Sequence, residues 1–61
     1  MADKVVDVTG EIHGETERAV RFFDGDRTVW LPKSQIEISE EGDGTVTVSM
    51  PEWLAIEKEL V

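Results

Sequence analysis

Pro32 separates two runs of alternating apolar and polar residues, and this break constrains the fold more than any other feature of the chain. Before it, Val29 and Leu31 fall on one face of a strand and Thr28 and Trp30 on the other. Pro32 offers no N–H to a ladder and fixes φ, so regular pairing is expected to stop there. Lys33, Ser34 and Gln35 then supply a short turn. Ile36 and Ile38 restart the alternation, with Glu37 facing out. The stretch from Thr28 to Ile38 therefore predicts a strand, a rigid corner and a second strand.

The remaining segments follow the same period. From Lys4 to His13, Val6, Val8 and Ile12 share a face, opposite Asp7, Thr9, Glu11 and His13. Gly10 lies on the apolar face, which marks a bulge or a close approach of another backbone. Gly14-Glu15-Thr16 reads as a hairpin turn and Glu17–Phe23 as the next strand. Ala19 and Phe23 give that strand a second partly apolar face, to be covered by a C-terminal helix or left for a partner. Asp24-Gly25-Asp26-Arg27 and Glu40-Glu41-Gly42-Asp43-Gly44 read as turns. From Thr45 to Met50, Val46, Val48 and Met50 point inward. Helical spacing begins at Pro51, suited to the first helical position, with Glu52 favoured beside the helix dipole. It runs to Leu60, with Trp53, Ile56 and Leu60 on one stripe and Leu54 and Val61 flanking it. A helix of this length must dock on the sheet, and Trp53 is the expected anchor.

These segments predict a single small domain over residues 1–61, with residues 1–3 as a loose end. Its class is mainly β with some α: five short antiparallel strands in a bent sheet or partial barrel, with one C-terminal helix. The expected core is Val6, Val8, Ile12, Val20, Phe22, Val29, Leu31, Ile36, Ile38, Val46, Val48, Trp53 and Ile56. A chain of 61 residues has a thin core, and without cysteine it has neither a disulfide nor a thiolate metal site to reinforce it. No apolar run reaches the roughly 20 residues of a membrane span. The first ten residues lack the basic start and apolar centre of a signal peptide, so a cytoplasmic location is expected.

Fourteen acids against six Lys and Arg give a formal charge of −8. Such a chain repels nucleic acid and anionic membranes and attracts basic surfaces. The asymmetry is sharper than the total. From Glu37 onward there are seven acids (Glu37, Glu40, Glu41, Asp43, Glu52, Glu57 and Glu59) against Lys58 alone. Glu37, Glu40, Glu41, Asp43 and Glu57 are therefore the candidate partner-binding residues. A solvated acidic face accounts for the same residues without any partner.

Catalytic patterns are weak. His13 is the only histidine, and Ser34, Ser39 and Ser49 all lack a nucleophile-elbow context. The two acidic glycine turns fall short of a twelve-residue calcium loop, and no glycine-rich loop ends in Lys-Ser/Thr before a helix. No enzyme activity, metal or cofactor is expected. Trp30, Phe22 and Phe23 could stack on bases beside Arg21, Arg27 and Lys33, but Glu17, Asp24 and Asp26 offset those cations. Direct nucleic-acid binding is thus the weakest of the binding modes. The same aromatics serve equally as core.

Two resemblances arise at the central corner. Trp30-Leu31-Pro32-Lys33-Ser34-Gln35-Ile36 resembles the strand, short 3₁₀ turn and strand that close Src-homology-3-like small barrels. Phe22-Phe23, then VWLPKSQI, then PEWLA, over Ala19 to Ile56, is similar to a family of very small phage and prophage proteins. That second resemblance implies an origin in a mobile element and a bacterial host cytoplasm. Small acidic phage proteins include anti-CRISPR inhibitors and other DNA mimics. The function expected is non-catalytic inhibition of a host nucleic-acid-handling complex through a DNA-mimic-like acidic surface. The alternative is an accessory interaction module or homodimer that uses an apolar sheet face.

Overall fold

The computed structural model describes residues 4–60. Five antiparallel strands form one sheet: β1 (Val5–Glu15), β2 (Ala19–Phe23), β3 (Thr28–Pro32), β4 (Glu37–Glu40) and β5 (Val46–Pro51). A 3₁₀ turn over Lys33–Gln35 joins β3 to β4, and helix α1 (Glu52–Glu57) follows β5 directly. The strand order is β3-β2-β1-β5-β4, so β3 and β4 are the two edges of a sheet that does not close. The expected mainly β class, with five antiparallel strands and one short C-terminal helix, is the observed one. The residues 1–3 expected as a loose end, and Val61, lie outside the described residues.

β1 holds the sheet together by serving two partners in succession. Val5 to Gly10 pair with β5, from Val5 opposite Pro51 to Gly10 opposite Val46. Glu11 to Glu15 pair with β2, and the register slips between Ile12 and Gly14. The bulge therefore sits at His13. Gly10 is instead the point of close backbone approach. A Cβ there would press into the Phe23 carbonyl oxygen and come within 2.7 Å of Phe22 Cζ. β1 also runs past the expected turn at Gly14 to Glu15. The chain reverses at Thr16, whose hydroxyl accepts from the Ala19 N–H at 3.1 Å and whose own N–H donates to the Ala19 carbonyl at 2.8 Å.

The core lies on one face, where Val20, Phe22, Leu31, Val48 and Met50 meet Leu54 and Ala55 of α1. Val6, Val8, Ile12, Val29, Ile36, Val46 and Leu60 pack around it, half-buried. Three residues expected in the core are not buried: Ile38 is 41% exposed, Trp53 47% and Ile56 59%. Ile38 sits on edge strand β4, which has a neighbour on one side only. Trp53 and Ile56 face outward because α1 docks through Leu54 and Ala55. The Ala55 side chain is small enough to let the helix backbone approach the sheet. Val20 and Phe22 of β2 share the core with Leu54 and Ala55, and the helix packs chiefly on β5 and β1. On the second face of β2 Phe23 stacks on the His13 ring, with centroids 5.0 Å apart and planes 16° from parallel.

The helix is shorter than the expected span from Pro51 to Leu60. Pro51 remains in β5 opposite Val5 and serves as the N-cap, and the Glu52 N–H donates to the Lys4 carbonyl at 2.7 Å. At the other end Glu59 takes a left-handed φ of 59°. Glu59 N–H donates to the Ile56 carbonyl at 3.1 Å and Leu60 N–H to the Ala55 carbonyl at 2.8 Å. These are the two bonds of a Schellman motif. The motif, and not a further helical turn, swings Leu60 back onto the core.

Candidate functional site

The acidic residues singled out above fall on two elements. Glu37 and Glu40 lie at the ends of β4, and Glu41 and Asp43 lie in the turn that leads to β5. Alternation and pairing place Glu37 (opposite Ser49) and Ser39 (opposite Thr47) on the outer face. Ile38 (opposite Val48) and Glu40 (opposite Val46) lie on the core side. Every residue of β4 is exposed, as are Glu41 and Asp43. Glu57 is also exposed but belongs to α1, whose end is tied to the β2–β3 turn by Arg27 and Glu59 at 3.2 Å. Glu37, Glu40, Glu41 and Asp43 thus lie along one edge strand and its turn, with Glu37 and Glu40 on opposite faces, and Glu57 lies on another element.

Local hydrogen bonds order the turn. Thr45 donates to Asp43 Oδ1 from its hydroxyl at 2.6 Å and from its N–H at 3.1 Å. Those donors, the hydroxyl first, hold the Asp43 carboxyl below the usual carboxylate range. The Thr47 hydroxyl donates to Glu41 at 2.8 Å, and the Ser49 hydroxyl to Asp7 at 2.6 Å. The outer face of the β1–β5–β4 half is therefore a hydroxyl–carboxylate surface.

Cations are spent elsewhere. Lys33 pairs with Glu15 at 2.6 Å, Arg27 with Glu59 at 3.2 Å and Lys4 with Glu52 at 3.6 Å. Among the described residues, none of Glu37, Glu40, Glu41, Asp43 and Glu57 forms an ion pair. The cation that the cleft beside β4 shares with Glu40, Lys33, is the one paired with Glu15. The same pairing bears on the aromatic surface. Trp30 is 46% exposed and lies opposite Arg21 on the outer face. Arg21 donates to the His13 carbonyl at 3.3 Å, while Arg27 and Lys33 are held by carboxylates.

A cleft of about 460 Å³ opens beside β4, where the sheet fails to close. Ile12, Val20, Ile36, Ile38 and Val46 make its apolar wall. Glu15, Lys33 and Glu40 stand among its lining residues as the polar groups. The sequence places Ile36 and Ile38 in the core of a bent sheet or partial barrel and does not locate this opening. One signal for it exists: Glu40 continues the same alternate face, so the apolar row ends on a carboxylate. His13, the only histidine, bonds Glu11 through Nε2 at 2.9 Å and stacks on Phe23. Among the described residues no three metal-ligating side chains converge, and no helix is long and apolar enough to cross a membrane. Comparison with known proteins adds no relative to this geometry: no protein-family model, curated protein or solved structure matches the chain.

Proposed function

We propose that the chain is a non-catalytic, phage-type inhibitor that docks the acidic β4 edge on the basic groove of a bacterial nucleic-acid-handling complex. It belongs, on this proposal, with anti-CRISPR-like proteins that imitate the charge of DNA. The observation that supports it most is the exposed run of Glu37, Glu40, Glu41 and Asp43 on one edge strand and its turn, none of which forms an ion pair among the described residues. No Lys or Arg occurs from Ser34 to Glu57. A groove built to neutralise phosphates would meet carboxylates there, and the net charge of −8 would steer the encounter. Glu57, on the helix, adds to that steering.

Pull-down of the tagged chain from bacterial cytoplasmic lysate tests the proposal. Capture of a nucleic-acid-binding complex that DNA displaces and raised salt weakens is the expected result. Capture of a partner indifferent to both would exclude DNA mimicry. A second mode, homodimerisation, is favoured by the exposed Trp53 and Ile56, one helical turn apart. It places the apolar contact on the helix instead of the sheet face. It requires a melting temperature that rises with concentration, and sedimentation as a monomer at high concentration would exclude it.

A further inference from the structure

We propose that the cleft beside β4 receives an extended, basic segment of a partner protein, which adds to the sheet as a sixth strand. The inference rests on the binding role proposed above for the acidic edge. Three independent features meet at this place. First, among the described residues β4 pairs with β5 alone, so its outer row of N–H and C=O groups has no described strand beside it. Second, the space on that side holds an apolar wall that includes Ile38, 41% exposed on an edge strand. Third, the edge and its turn carry Glu37, Glu40, Glu41 and Asp43, none of them in an ion pair among the described residues.

Strand addition uses all three. Main-chain bonds to the edge supply affinity, and alternate side chains supply specificity. An incoming strand would direct every second side chain into the cleft beside Ile38 and Val20, where apolar residues fit. The intervening side chains would lie on the outer face beside Glu37, where Lys or Arg fit. A further base at the Glu40 end would meet Glu40 and the acidic turn. Lys33 does not oppose this charge pattern, because Glu15 holds it at 2.6 Å.

The charges also decide against a second copy as the occupant. Edge-to-edge pairing of two β4 strands would bring two sets of Glu37, Glu40, Glu41 and Asp43 to one seam, on chains of formal charge −8 each. Like charges across a strand pair oppose its formation. The opposite edge is a poorer acceptor, since β3 ends on Pro32, which has no N–H. The edge is thus built against self-pairing and open to a basic strand.

Three synthetic nonapeptides test the proposal against the isotope-labelled chain. One alternates Val or Ile with Lys or Arg. The second has the same sequence with N-methyl groups on the backbone amides that would face β4. The third has the same composition in a block order. The alternating peptide is expected to slow amide exchange in β4 and to bind at least about tenfold tighter than the N-methylated one, which loses the ladder bonds. Equal binding of all three peptides, with no new protection in β4, would overturn strand addition and leave the electrostatic role of the edge standing. Failure of every peptide, with DNA-sensitive capture from lysate retained, would do the same. Binding of the alternating peptide with β4 protection, but without DNA-sensitive capture, would keep strand addition and remove DNA mimicry. An Ile38→Ser variant, changed at a partly exposed position, is expected to weaken the alternating peptide about fivefold or more.

Discussion

Gly10 and Glu59 are where single backbones decide the most. Gly10 has no unusual φ to accommodate. It is required because Phe22 and the Phe23 carbonyl occupy the space where a Cβ would go. Gly10→Ala is expected to cost about 3 kcal/mol by denaturant unfolding, as overpacking beside backbone does. Glu59 presents the opposite case, a left-handed φ of 59° on a residue with a side chain. Glu59→Gly should stabilise by about 1 kcal/mol, the αL penalty removed. The Arg27 ion pair it sacrifices is largely exposed and offsets only a few tenths. The two aspartates that order turns set an acid limit. The N–H groups of Arg27 and Asp26, both at 2.8 Å, hold the Asp24 carboxyl below its ordinary value, as Thr45 does for Asp43. A folded pKa below the unfolded one stabilises fully above the ordinary aspartate value, about 3.9, and that contribution vanishes as pH falls through the lowered folded values. Melting temperature should therefore drop below about pH 4. Asp24→Asn, which retains the acceptor oxygen, should flatten its share of that slope.

Among the elements, the strands and the presence of a C-terminal helix were legible, and the extent and docking face of that helix were not. Period-two alternation assigned the inward faces of β1, β2, β3 and β5 correctly, because one buried face leaves a strand no choice of which residues to turn inward. It also carried the corner at Pro32, where β3 ends and the 3₁₀ turn begins. In α1 the largest apolar residues suggested the stripe Trp53–Ile56–Leu60. A helix of six residues leaves a strand without a loop, so its rotation is inherited from β5 and not chosen by the bulk of its side chains. Leu54 and Ala55 consequently face the sheet. Leu54→Ala should cost about 2–4 kcal/mol, whereas Trp53→Ala and Ile56→Ala should each cost under about 1 kcal/mol. Near-equal losses in thermal or urea unfolding would contradict this docking. The acidic row of β4 was legible as composition. The cleft beside it left only one local trace, the Glu40 carboxylate that ends the apolar row, since no pattern reports that β3 and β4 fail to meet.

At the scale of the whole molecule, the division of charge matters more than its sum. Glu52, Glu59 and Glu15 are paired with Lys4, Arg27 and Lys33, while the acids of β4 and its turn have no such partner among the described residues. The sheet therefore presents one edge that is at once unpaired, acidic and beside an apolar cleft. Asp43 orders the turn through Thr45, so its reversal would confuse charge with folding. Glu37, Glu40 and Glu41 carry the charge with less structural duty. The most direct measurement is the affinity of the DNA-displaceable partner for the parent chain and for the Glu37→Lys, Glu40→Lys, Glu41→Lys variant, at low and raised salt. The account predicts a loss of about a hundredfold or more at low salt, with the salt dependence largely abolished. Unchanged affinity and an unchanged salt slope, in a variant that melts like the parent, would contradict it.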